Sequence, residues 1–378
     1  MQDASLGLYI HIPFCLQKCL YCDFCSFPAR PAEEHSAYVR ALCREIEAAA
    51  RALSHYTVNT VFIGGGTPSL LSAEEYSLIS NAIQRNYRLS DDLEFTSEAN
   101  PATLDMAKLQ AMKEAGINRL SIGMQSALDC ELAALGRVHS ARDAVQAVEL
   151  ARAAGFRNVN LDLMFGIPNQ TAESFLFSLD TALSLSPEHL SVYSLQVEEG
   201  TPFYERRATL PLPDEEEEDE MATLLYRKTE AAGYRRYEIS NFARAGYECR
   251  HNLRYWRLLD YRGFGVSAHS LIAGRRFFNG EDLSLYLRDP LSAEYEEELL
   301  SAATREFEYV MLGLRTADGI SDAAFAEAFG EPFSEKYSVQ IAPFLARNLM
   351  AKQDGRCYFS EEGMALSNGI LREILPDL

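Results

Sequence analysis

The motif that most limits what this chain can become is Cys15-Leu16-Gln17-Lys18-Cys19-Leu20-Tyr21-Cys22, three thiols spaced C-x3-C-x2-C directly after a strand-like run from Leu6 to Ile12. Eight cysteines in all, with Cys43, Cys130, Cys249 and Cys357 scattered and no basic-then-apolar leader ahead of them, suit a reducing compartment and metal ligation better than a disulfide framework. Three ligands leave one position open on a zinc ion or on a four-iron cluster, and an open position is where chemistry occurs. The spacing is neither the C-x2-C-x2-C of bacterial ferredoxins nor the two distant pairs usual for zinc. Cys25 would have to join the three to close a structural zinc knuckle, but such sites draw ligands from two segments. A redox dithiol would need a C-x-x-C beside a thioredoxin-like βαβ pattern, which is absent.

The first ~200 residues alternate short apolar runs with helical patterns, the rhythm of a parallel sheet or barrel. The strands expected are Leu6–Ile12, Thr60–Ile63, Leu93–Glu98, Arg119–Ile122, Asn158–Leu163 and His189–Ser194, with helices such as Ala37–Ala52 and Ala141–Ala154 between them. Six βα units fall short of a closed eight-unit barrel. Strands covered on both faces by helices should read as continuous apolar runs. Several here alternate instead: Tyr9 and His11 share one face, as do Glu94, Thr96 and Glu98, then Arg119, Ser121 and Gln125, then Asn158, Asn160 and Asp162. One polar strand face is explained by buried, mutually satisfied side chains. Four together favour a lumen that holds a polar cofactor.

The probable strand ends carry further distinctive residues. Gly64-Gly65-Gly66-Thr67-Pro68-Ser69 follows the second strand; its glycines let backbone N–H groups approach a ligand, and the missing G-K-[ST] ending excludes a P-loop. Glu98-Ala99-Asn100-Pro101, Gly123-Met124-Gln125-Ser126, Arg137 and Asp162 follow in turn. In a parallel barrel, ligands gather at the C-terminal ends of strands.

Taken with Tyr9-Ile10-His11-Ile12-Pro13-Phe14-Cys15 and Cys22-Asp23-Phe24, the cysteine motif resembles the radical S-adenosylmethionine (SAM) superfamily, and within it the anaerobic coproporphyrinogen oxidase/HemW branch. The resemblance extends over nearly the whole chain. It implies an α/β fold with a partial (β/α)6 radical SAM barrel, a [4Fe-4S] cluster on Cys15, Cys19 and Cys22, and SAM on the free iron. It also implies SAM contacts at Tyr9, Gly65, Gly66, Thr67, Glu98, Gln125, Arg137 and Asp162. These roles suit the residues chemically: a guanidinium forks onto the SAM carboxylate, and carboxylates accept from ribose hydroxyls or the amino group.

A run of acids, Asp214 to Glu220, reads as a solvated helix start. Then comes a denser block: Tyr237-Glu238-Ile239-Ser240-Asn241-Phe242, His251-Asn252-Leu253-Arg254-Tyr255-Trp256, and Gly263-Phe264-Gly265-Val266-Ser267-Ala268-His269-Ser270. His251 beside a Tyr and the single Trp can ligate iron and stack on a flat macrocycle, although a lone His in an aromatic patch is more often a hydrogen-bonded core residue. The H-N-x-x-Y-W pattern resembles one associated with heme in the HemW group and implies heme contact at His251; His269 is expected to line the cofactor cavity rather than to bind heme. From about Asp289, helices with short turns and an Asp354-Gly355 hairpin suggest a small winged-helix-like module. Expected divisions are 1–210 for the barrel, 211–288 for its extension and 289–378 for the C-terminal module.

Two functions are compatible with the branch. One is a heme chaperone delivering heme to acceptor hemoproteins. The other is an oxygen-independent coproporphyrinogen III oxidase, which decarboxylates propionates by radical chemistry. The oxidase pattern requires a cysteine where Phe24 stands, and a longer segment than the fourteen residues ahead of Cys15. With the H-N-x-x-Y-W block, these departures favour the chaperone. The resemblance further implies an electron donor of the flavodoxin or ferredoxin kind, peripheral membrane contact through acceptors, and a homodimer. No apolar run approaches a membrane span, so the expectation is a cytoplasmic protein. A net charge of -20 repels phosphate backbones and argues against nucleic acid.

Overall fold

A computed structural model describes residues 5–376 and, for 294–298, the backbone alone. Its barrel strands are β1 (Ser5–Ile12), β2 (Thr57–Gly65), β3 (Arg88–Ala99), β4 (Arg119–Gln125), β5 (Val159–Phe165) and β6 (His189–Ser194), mutually parallel in that order. These are the six expected strands, most of them longer than the apolar runs suggest. Pairing continues past the apolar stretch: Arg88 and Leu89 still pair with Thr57 and Val58, across a register shift between Val58 and Thr60. The helix α1 (Ala32–Ala49) begins five residues before the apolar pattern does, because Pro31 stands at its N-cap and Glu33 and Glu34 favour the positive end of the dipole. The helix α2 (Ala141–Ala153) starts at a Ser140/Asp143 capping box.

The alternation seen in sequence becomes a polar seam inside the open barrel. Glu98, Ser121, Asn160 and His189 lie in register across β3 to β6. Asn160 Nδ2 donates to Ser121 Oγ at 2.7 Å, and Asn160 Oδ1 stands 2.6 Å from His189 Nδ1. The opposite faces of these strands, with the helices outside, make the main apolar core around Leu8, Ile10, Val61, Leu120, Leu161 and Leu190.

Two extensions complete the sheet. On one edge, β7 (Asn241–Ala243) runs antiparallel to β6. On the other, β8 (Tyr261–Phe264) pairs parallel with β1, followed by antiparallel β9 (His269–Ile272), β10 (Arg275–Asn279) and β11 (Glu294–Leu299). The sheet therefore runs through Leu299. A separate apolar core, including Val310, Phe325, Phe333, Phe344 and Ile370, holds the C-terminal module of helices and a three-stranded sheet. Within it, Ser321 caps Asp322–Phe329, and Asp354-Gly355 joins Met350–Gln353 to Arg356–Phe359. The acidic run starts the helix α3 (Glu215–Ala231), capped by Asp214.

The short helix α4 (Arg250–Trp256) fills the barrel beneath Tyr9. Its first turn is held by Glu94, which accepts from the backbone N–H of Arg250 and His251, both at 3.0 Å. Arg254 crosses under β1 to Ser5 O and Asp260 O, and there is room for it only because residue 7 is glycine. Among the described residues, no helix is long and apolar enough to cross a membrane.

Candidate cofactor site at the barrel mouth

The cysteine loop leaves β1 and is fastened at both ends. Phe14-Cys15 pairs in parallel with Phe27-Pro28, while Gly66 N and Thr67 N donate to Ile12 O and Phe14 O at 2.8 and 2.7 Å. Its far side rests on a small apolar cluster: Leu20 and Tyr21 pack against Leu135, Met164, Ile167, Leu195 and Phe203. Leu20 N donates to Leu135 O, and Phe203 N to Leu20 O. The arrangement explains the glycines. A Cβ on Gly66 would lie 2.6 Å from Phe14 O and 3.0 Å from Cys15 Sγ, and one on Gly65 would lie 2.5 Å from the His11 ring.

Cys15, Cys19 and Cys22 are partly exposed, and their sulfurs have cationic and hydroxyl neighbours. Thr67 Oγ1 donates to Cys15 Sγ at 3.6 Å and Arg137 NH1 to Cys19 Sγ at 3.5 Å. Burial pushes the Cys22 thiol up to about 11, so loading a metal group there releases protons. Among the described residues, no three His, Cys, Asp or Glu side chains stand as ligands of one metal ion. A four-iron cube is gripped at separate corners, so its thiolates need not converge on a point. The donor set, with supporting N–H and O–H groups aimed at two of the sulfurs, suits such a cluster.

The residues expected around SAM gather at the adjoining strand ends. Glu98, at the end of β3, accepts from Gly65 N at 3.0 Å. Asp162 accepts from Asn160 Nδ2 at 2.7 Å and Ser121 Oγ at 3.3 Å. Gln125 ends β4 with φ +62, beyond a register shift that begins at Gly123. Arg137 spends part of its fork inside the protein, on Gly123 O (2.9 Å) and Cys19, while its buried Nε has no partner. Tyr9 turns into the lumen, its hydroxyl 3.0 Å from His11 Nδ1 and its ring near Phe62 and His251.

Burial, then the nearby Asp162 charge, pushes the Glu98 carboxyl from its ordinary 4.5 up to about 8. The folded chain therefore holds a proton here that the unfolded chain releases. That stabilisation is full below about pH 4.5 and is lost as pH rises through 8. Glu98→Gln should flatten part of the fall in thermal stability of the cluster-free protein across this window. An unaltered pH profile in the variant would assign the titration to another group.

His251, expected at the heme, lies inside the barrel. It is 1% exposed, with Nδ1 at 2.9 Å from Thr60 Oγ1 and Nε2 at 2.8 Å from the Tyr255 hydroxyl. Both ring nitrogens have a hydrogen-bond partner. The cause is the anchoring of α4 by Glu94, which points this side chain inward. His269 instead lines an open cavity of about 340 Å³ beside the cysteine loop, with Tyr9, Phe24, Cys25, Tyr255 and Tyr261. Sequence reasoning missed Tyr261; it sits in no distinctive spacing, and only the pairing of β8 with β1 brings it there.

Residues 9–182 match the radical SAM superfamily model and residues 300–366 the HemN C-terminal domain. Coproporphyrinogen III oxidase (HemN) from Escherichia coli superposes with a TM-score of 0.86 over 100% of this chain and 91% of that one, at 24% identity, which speaks for the fold alone. Heme chaperone HemW of Bacillus subtilis (strain 168) is 40% identical across 98% of this chain and 99% of its own length. Heme chaperone HemW of Escherichia coli (strain K12) is 35% identical across 98% of both. A [4Fe-4S] cluster and SAM follow as the cofactors of the superfamily. With the cysteine loop, the open six-stranded barrel and full-length relatives in agreement, the chain belongs to the HemW family of radical SAM proteins.

Proposed function

We propose that this protein is a heme chaperone that binds heme and hands it to acceptor hemoproteins in the cytoplasm. The observation that carries the proposal is the 40% identity over nearly the full length of both chains to a relative named as a heme chaperone. Phe24, where the oxidase pattern needs cysteine, supports the same reading. In this proposal residues 1–210 carry the cluster and SAM, the extension runs from 211 through the strand ending at Leu299, and the C-terminal module follows. Cys15, Cys19 and Cys22 hold the cluster. Gly65, Gly66, Thr67, Glu98, Gln125, Arg137 and Asp162 surround SAM, with Tyr9 at the floor of the mouth. An electron donor of the flavodoxin or ferredoxin class, a homodimer and membrane-associated acceptors belong to the same proposal.

When bound, the cluster and SAM together supply one-electron chemistry; the protein's own part is placement. Gly65 and Gly66 bring backbone within reach of the ligand, Glu98 and Asp162 present acceptors, and Arg137 steadies the charge on a sulfur. The test compares two outcomes in one anaerobic preparation with reconstituted cluster. Stoichiometric heme binding, without release of CO2 from coproporphyrinogen III in the presence of SAM and a reductant, is expected. Decarboxylation of coproporphyrinogen III would make the protein an oxidase.

A further inference from the structure

A line of hydrogen bonds runs inward from Asp162 on β5, through β6, to the residue that caps α4. Asp162 Oδ1 accepts from Asn160 Nδ2 at 2.7 Å, and the same nitrogen donates to Ser121 Oγ at 2.7 Å. With both of its N–H groups spent there, Asn160 turns Oδ1 the other way, 2.6 Å from His189 Nδ1. His189 Nε2 lies 2.7 Å from the Tyr237 hydroxyl, whose oxygen accepts from the backbone N–H of Cys249 at 3.2 Å. Cys249 is the N-cap of α4. Asn160 and His189 are 1% and 0% exposed, so water does not compete for these bonds.

The line has one consistent sense. A backbone N–H can only donate, so the Cys249 amide occupies the Tyr237 oxygen and leaves the hydroxyl proton to point at His189. Nε2 is then the accepting nitrogen. Burial, then the Arg119 charge, holds the His189 pKa well below its ordinary value, so the ring is neutral and carries its one proton on Nδ1. That proton needs an acceptor. It obliges Asn160 to show His189 its oxygen and Asp162 its amide hydrogens. An amide turned end for end would set N–H against N–H at His189 and a lone pair against the carboxylate. Ser191 Oγ supports the same orientation with a longer bond to Asn160 Oδ1, at 3.2 Å.

We propose that His189 is a positioning residue for the SAM site: through Asn160 it keeps the Asp162 carboxylate oriented as the acceptor for the ligand's hydroxyl groups. Tyr237, set by the Cys249 amide, fixes the tautomer that His189 needs. The inference rests on the reading that Asp162 meets SAM, and it adds what holds that carboxylate in place. Burial raises the Asp162 pKa, while Asn160, Ser191, Arg119 and Ser121 lower it. Glu98 from β3, Arg119 from β4 and Tyr193 from β6 are the charged and titratable groups that face it. Losing the Asn160 donor therefore moves this pKa further up, and on acidification the acceptor disappears at a higher pH.

The experiment measures SAM affinity by equilibrium dialysis over a series of pH values, using full-length protein with its cluster reconstituted anaerobically. Five proteins are compared: the parent, Asp162→Asn, His189→Gln, His189→Asn and Tyr237→Phe. An asparagine amide stands where Nδ1 stood and can still donate to Asn160; a glutamine amide reaches only the place of Nε2. His189→Gln is expected to bind SAM about tenfold more weakly, the worth of one hydrogen bond to a charged group, with the loss growing as pH falls. His189→Asn should recover most of the affinity and the parental pH profile. Glu98 titrates in the same range, so the shift is read between variants. Tyr237→Phe keeps the ring volume and should move the profile in the same direction; parental behaviour there overturns the tautomer argument. Parental affinity in His189→Gln overturns the proposal. So does equal weakening in both His189 variants with an unshifted profile, which is the mark of a packing role. If Asp162→Asn binds SAM as the parent does, the Asp162 contact itself falls, and the inference falls with it whatever the His189 variants show.

Discussion

Serine at position 15, 19 or 22 is expected to abolish cluster assembly, while Cys25→Ser is expected to leave it intact. Each of the three thiols sits on a loop that the protein holds from three directions: the Phe27-Pro28 pairing, the Gly66-Thr67 backbone, and the Leu135/Phe203 cluster below. With the backbone fixed this way, a neighbouring thiol cannot swing in to replace a lost ligand. Cys25 is fastened separately, its carbonyl accepting from His11, and it borders the open cavity of about 340 Å³. Iron and acid-labile sulfide content after anaerobic reconstitution, with the visible absorbance of the cluster, checks the result. Cluster loss in Cys25→Ser would mean a four-thiolate site with no open corner, and the radical SAM reading of this loop would fail with it.

Glu45→Ala is expected to cost about 3–5 kcal/mol of folding stability, the range for removing one partner of a buried ion pair. Glu45 is 3% exposed on α1 and ties that helix to the sheet extension. Its Oε1 accepts from Arg262 NH2 at 3.2 Å and Asn279 Nδ2 at 2.9 Å; its Oε2 accepts from Gly265 N at 3.0 Å and the Tyr286 hydroxyl at 2.6 Å. All four partners lie beyond residue 260, so this carboxylate is where the extension is bolted to the barrel. Alanine removes the buried counter-charge of Arg262 and strips the Gly265 amide and Tyr286 hydroxyl of their acceptor. The loss is read from the denaturant midpoint of the cluster-free protein. Because the cysteine loop is anchored elsewhere, the variant should still assemble its cluster. A loss below about 1 kcal/mol, the worth of a surface pair, would show that water replaces Glu45 here.

The sequence alone determined the parts of this protein whose meaning is local. Alternation along a strand, a capping residue and a Gly-rich turn each depend on neighbours a few positions away, so six strands, a polar lumen and the C-terminal hairpin were readable without coordinates. The partners of a side chain are a different matter. His251 reads in sequence as a heme contact through its H-N-x-x-Y-W motif; the folded chain shows its ring held between Tyr255, four positions on, and Thr60, 191 positions earlier. The strand β8 is four residues long and pairs with β1 across the whole barrel sequence, and only that pairing brings Tyr261 and His269 beside Tyr9 and Cys25. Glu45 read as one more helix residue until the extension folded over it. Short-range pattern is written in covalent order, whereas burial, hydrogen-bond occupancy and the cavity depend on which strands share an edge. The backbone settles that last choice only when the entire sheet closes.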